Sequence, residues 1–240
     1  MRVTSSGETL GATIEGLDLS KSFSPDEFDG VVRALGERGV VRFPTQKLTG
    51  RQLADFSARF GELEINVANA YQEPGIPEVM ILSNMVENGK PIGLADAGQD
   101  WHTDMSYSST IAFANVLYGI KIPRRGGRTL GATEFSNMHA AYDGLPAEMK
   151  RDLEGMTVLH DFNKFWEMMR REKGSKRPPL TDAQRKGSRR CRIRYFSPTR
   201  SPGAACSTLR RRRSARRGCR NFWPTASSAA SDFAAPCSSG

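Results

Sequence analysis

Gly98–Ser108 reads GQDWHTDMSYS, and the meaning given to His102 and Asp104 in it decides how the chain is understood. On a β-strand, residues i and i+2 point to the same side. A strand here would send an imidazole nitrogen and a carboxylate oxygen into one cavity. Those groups are two of the three protein ligands of a 2-His-1-carboxylate Fe(II) site, which keeps its opposite face open for reactants. The three-letter pattern alone does not settle the matter, because a surface or hydrogen-bonded histidine uses the same letters. The neighbouring segments must decide.

Downstream, TIAFANVLYGIKIP (110–123) is long, apolar and closed by a proline, which predicts a buried central strand. PRRGGRTLG predicts a turn, and SNMHAAYDGLPAEMKRDLEG two short helices broken near Pro146. MTVLHDF (156–162) predicts a strand. The polar, proline-containing stretch 163–186 predicts a surface excursion or lid. Upstream, GATIEGLDL (11–19) opens strand-like. In SPDEFDGVVRALGERG, Ser24 and Glu27 form a capping box, Pro25 suits the first helical position and Gly39 the stop. VVRF (40–43) predicts a short strand. Thr49 and Gln52 form a second capping box ahead of a helix ending near Gly61. EVMILSN (78–84) has the length of a strand, and Asn88-Gly89 is a hairpin signal. The class expected is mixed α+β, with no internal repeat.

Charge and composition divide the chain in two. Residues 187–240 hold 12 arginines, no lysine and one acid, Asp232, so this segment carries +11 of a chain whose net charge is +9. Residues 1–186 are therefore near neutral, at −2. All four cysteines lie in the tail with no CxxC pair, which argues against a zinc site. The tail has only two branched aliphatics, Ile193 and Leu209, and predicts an irregular segment unable to offset the entropy of ordering itself. The expected organisation is a domain over 1–186 and an Arg/Ser/Ala-rich tail, disordered or out of frame, over 187–240. No apolar run approaches bilayer length and the N-terminus shows no signal core, so the expectation is a soluble cytoplasmic protein without a membrane partner.

From about Gly11 to Lys186 the chain resembles the TauD/TfdA family of Fe(II)- and 2-oxoglutarate-dependent dioxygenases. The blocks that carry the resemblance are LGATIEGLDLS, GVVRFPTQKLTGRQLADFSARFGELE, WHTDMSYS and LYGIKIPRRGGRTLGATEFSNMHAAYDGLP, in that order. It implies a double-stranded β-helix, or jelly roll, with helices outside, and His102 and Asp104 as Fe(II) ligands. It also implies that Thr129 contacts 2-oxoglutarate, and it places Tyr71 where substrate is contacted. In the family's taurine enzymes a histidine precedes that tyrosine; VANAY has none, so taurine is not the expected substrate. The implied reaction joins oxidative decarboxylation of 2-oxoglutarate, with O2, to hydroxylation of a small organic substrate.

The family completes its metal site with a distal histidine, followed by an arginine that pairs with the far carboxylate of 2-oxoglutarate. Here the histidines are His102, His139 and His160, and none follows residue 160. His139 falls in a helix of the family and His160 at a position that is not a ligand. The jelly roll is therefore expected to be incomplete, with an exposed apolar face where its last strands belong. We read residues 187–240 as an out-of-frame translation of a GC-rich gene. Two functional readings stay open: a dioxygenase whose activity in this chain is in doubt, or a non-catalytic remnant or binding protein. In the second, LRRRRSARRGCR (209–220) would supply a basic tail, though nucleic acid is not the expected partner. Homo-oligomerisation is left open.

Overall fold

The computed structural model describes residues 1–66, 69–98, 101–105, 107–108, 112–188 and 190–194, together with the backbone of 226–229. The class is mixed α+β, as expected. Strand β1 (Arg2–Ser5) pairs antiparallel with β2 (Ala12–Glu15). Helix α1 (Pro25–Arg38) then crosses to β3 (Val41–Arg42), which lies parallel to β2. The helix begins where the sequence says it should. Ser24 accepts the Glu27 N–H at 3.2 Å and Glu27 reaches back to the Ser24 N–H at 2.9 Å. Gly39 closes the helix with φ +67°, a conformation that costs glycine little. Helix α2 (Gly50–Ala58) opens with the second capping box, Thr49 with Gln52.

These elements bury the first core. Ile14, Leu17, Leu19, Val31, Ala34 and Phe56 are buried together, with Phe23, Phe43, Phe60 and Val116 packed around them. Phe56 meets the rings of Phe23, Phe43 and Phe60 edge-on at 5.4–5.9 Å, the favoured aromatic geometry. Burying one such side chain contributes about 1.5–3 kcal/mol, so this cluster is what makes the N-terminal part fold.

After a 3-10 turn at Asn69–Tyr71, β4 (Gln72–Glu73) pairs with β5 (Ile76–Met80), two residues earlier than the apolar run predicted. Strands β6 (Val86–Glu87) and β7 (Lys90–Pro91) form the hairpin announced by Asn88-Gly89, both at positive φ, 50° and 74°. β8 (His102–Thr103) follows. β9 (Arg124–Arg125) and β10 (Arg128–Thr129) make a hairpin of the predicted Gly126-Gly127 turn. β11 (Thr133–Ser136), α3 (Met138–Asp143) and α4 (Ala147–Leu153) come next, with Pro146 between the two helices as expected. β12 (Thr157–His160) confirms the strand expected there.

Two expectations are corrected. First, the central strand expected over 110–123 is not seen: Thr110 and Ile111 lie outside the described residues, and 112–123 belong to no strand or sheet among them. Burial alternates from Ala112 to Tyr118, with Val116 turned to the first core, while Leu117 is 70% and Ile120 86% exposed. The apolar run was read as buried on both faces, whereas burial alternates; a strand needs a partner, no described strand pairs with this segment, and its exposed face is met only in part, by Phe60 stacked on Phe113 and by Asp104 at Asn115.

Second, 163–186, expected as a surface excursion or lid, contributes to a core. It holds most of α5 (Phe162–Arg171) and of α6 (Asp182–Gly187), and its Trp166 and Leu180 build the second core with Phe162. Charged residues dominate its composition, yet Phe162, Trp166 and Met169 fall on one helical face and are buried.

Within 187–240, β13 (Cys191–Arg194) pairs with β12, and the backbone of β14 (Ala226–Ala229) lies between β8 and β11. Pairing with β12, which sets Ile193 opposite Val158, supplies an order that composition did not predict. The rest of the tail, with LRRRRSARRGCR, lies outside the described residues. No helix among the described residues is long and apolar enough to cross a membrane.

Candidate metal centre

The segment that carries the motif leaves the sheet region at Leu94, whose N–H donates to the Ile81 carbonyl at 3.0 Å and whose carbonyl accepts from Ser83 at 3.2 Å. His102 then lies on β8, while Asp104 falls in the turn directly after it. The expected strand is thus shorter than the motif. The two side chains nevertheless converge: His102 Nε2 stands 3.2 Å from Asp104 Oδ1. Both are a little over one-third exposed, so solvent reaches the pair from one side. Met105 takes φ +60°, the left-handed region that an L-residue enters only under constraint. That turn is closed by the Ser108 N–H on the Met105 carbonyl at 2.9 Å, and it sends Tyr107 inward.

Asn115 was not anticipated as part of the site. Its side-chain amide donates to Asp104 Oδ2 at 2.9 Å, fixing one carboxylate oxygen and leaving Oδ1 toward His102. The signal was present in the sequence, as a polar side chain interrupting the apolar run AFANVLYGI. Tyr107 is a second unanticipated member. Its hydroxyl lies 3.2 Å from Met105 Sδ and its ring 4.6 Å from that of Phe162. Burial, and then the charges of Glu64 and Asp104, push its phenol up to about 12. Burial also raises the Glu64 carboxyl.

The donor chemistry of His102 and Asp104 suits a borderline divalent ion such as Fe(II), and their closeness suits two adjacent positions on one ion. Among the described residues, no group of three His, Cys, Asp or Glu side chains is placed to hold a metal. His139 lies in α3, half-buried, and His160 ends β12 opposite Cys191. Thr129 lies exposed on β10, and Tyr71 ends the 3-10 turn with its carbonyl accepting the Ile81 N–H at 2.7 Å. Neither side chain makes a hydrogen bond or ion pair with His102 or Asp104. The structure therefore brings together the two residues expected to bind metal, and places Thr129 on the β9–β10 hairpin and Tyr71 at the end of the 3-10 turn.

Residues 2–217 match the family described as Taurine catabolism dioxygenase TauD, TfdA family. Pentalenolactone F synthase of Streptomyces avermitilis is 29% identical over 67% of this chain and 53% of its own length. The alpha-ketoglutarate-dependent 2,4-dichlorophenoxyacetate dioxygenase of Cupriavidus pinatubonensis is 31% identical over 63% of this chain and 55% of its own. A crystal structure of a taurine dioxygenase from Burkholderia xenovorans superposes with a TM-score of 0.55 at 30% identity, covering 67% of this chain and 53% of that one. The chain thus spans about half the length of the relatives it matches.

Proposed function

We propose, from the premise that this chain belongs to the TauD, TfdA family, that His102 and Asp104 are two protein ligands of an Fe(II) centre serving 2-oxoglutarate-dependent hydroxylation of a small organic substrate. The observation that carries this reading is the 3.2 Å approach of the two side chains within a matched family segment. When bound, the iron would supply the oxygen chemistry, with 2-oxoglutarate as the electron source. The chain's own residues do the rest. Asn115 holds the Asp104 carboxylate by one oxygen. Thr129 is the candidate contact to 2-oxoglutarate and Tyr71 to the substrate, by resemblance alone. The names of the relatives point to small organic molecules as the substrate class.

The centre is incomplete in this chain. Two ligands hold Fe(II) weakly, and without the distal arginine the far carboxylate of 2-oxoglutarate has no partner of matching fork geometry. Domain 1–186 then carries the family features, and 187–240 is an out-of-frame tail whose coding DNA, read in another frame, restores a His-to-Arg segment. The tail composition supports this, although the family match reaches 217 and β13 pairs beyond residue 187. Absence of such a segment in every frame near codon 187 refutes that part. The second reading, a remnant that no longer turns over, is favoured by the lack of a third donor among the described residues.

Binding of Mn(II), a redox-stable probe for Fe(II), tests the half-site. Weak binding should be lost in His102→Ala and in Asp104→Ala. Equal binding in the parent and both variants would remove the pair from the account.

A further inference from the structure

The segment holding His102 and Asp104 is fastened on both sides by one stretch of chain, residues 162–191. Upstream of the pair, Arg177 Nη2 donates to Asp96 Oδ1 at 2.7 Å. Arg177 is only 5% exposed. Its guanidinium lies 4.5 Å over the Trp166 ring, and its Nε donates to Ser175 Oγ at 2.9 Å. Downstream of the pair, Tyr107 packs on Phe162 in the second core, and the Ser108 carbonyl accepts the Cys191 thiol at 3.4 Å.

We infer that residues 162–191 form a clasp on 96–108, and that Arg177 is a positioning residue for His102 and Asp104 through Asp96. The physical ground is the cost of separating a buried ion pair. Either partner left alone is an uncompensated charge away from water, so the pair resists opening far more than it adds to stability over an apolar substitute. Asp96 Oδ2 is buried without a hydrogen-bond partner among the described residues, so the carboxylate depends on Arg177. Arginine suits this position because its flat guanidinium stacks on Trp166 while donating in plane, which a lysine ammonium cannot do. Asp96 precedes His102 by six positions in the sequence, so the ion pair anchors the chain close to the motif.

The inference rests on the half-site reading only for what is being positioned. Its test is backbone amide exchange together with Mn(II) titration on the full chain, for Arg177→Met and Asp96→Asn. Both variants should speed exchange at 101–105 and weaken Mn(II) binding, by about tenfold, as loss of an outer support does at metal sites. Protection around Val31 in α1 should not change. Unaltered exchange at 101–105 in either variant overturns the inference. So does loss of protection in α1 with Asp96→Asn, which would make the ion pair a general stabilising element. His102→Ala separates the two claims. If it leaves Mn(II) binding intact, the half-site reading fails, while the exchange comparison still decides the clasp.

Discussion

The closeness of His102 and Asp104 was legible in their spacing, although the strand that was to align them ends at Thr103 and Asp104 lies in the turn that follows. Asn115 and Tyr107 were less legible, because their roles come from contacts across eleven residues and across a core boundary. Tyr107 gives a prediction of its own. Its phenol is raised to about 12, chiefly by burial, against an ordinary value of 10.0. A group raised in this way keeps its full contribution to stability below its unfolded value. It loses that contribution as pH climbs through the folded one. Alkaline unfolding should therefore set in between those two values, with one tyrosine lagging in phenolate absorbance, and Tyr107→Phe should remove the lag. A tyrosine signal unchanged by that substitution would show that Tyr107 is not the buried phenol.

Helix starts were the most readable elements. Ser24/Glu27 and Thr49/Gln52 form the capping boxes their letters predict, because the hydrogen bonds involved are local. The misreadings were of elements whose state depends on a distant partner. The alternation in 112–118 is real, but no paired strand is described, and α5 was hidden by the charges on its outer face. The start of α5 is testable. Asp161 accepts the Lys164 N–H at 3.0 Å and the Arg190 Nε at 2.7 Å. The backbone hydrogen bond first, with Arg190 adding to it, holds its carboxyl below the usual carboxylate range. A depressed carboxyl stabilises the fold above its unfolded value, ~3.9, and loses that effect as pH falls through the folded one. Asp161→Ala should cost about 1 kcal/mol at neutral pH, as lost caps do, and the difference should shrink on acidification. Equal denaturant midpoints for parent and variant at neutral pH would contradict the cap.

At the scale of the whole molecule, two cores hold the described chain, one under β2, α1 and α2 and one under α5. The clasp links the second core to the motif. Leu117, Ile120 and Ile122 are exposed along one stretch among the described residues. The class was readable from composition and capping. The exposure of this stretch was not readable from local pattern, since no local pattern reports whether a partner lies elsewhere. The central claim is that this chain keeps half of a family iron site and lacks what completes it. Succinate formation from 2-oxoglutarate, with Fe(II) and O2 supplied, tests it most directly. The account predicts no succinate above that formed by His102→Ala; robust formation that His102→Ala abolishes would contradict it.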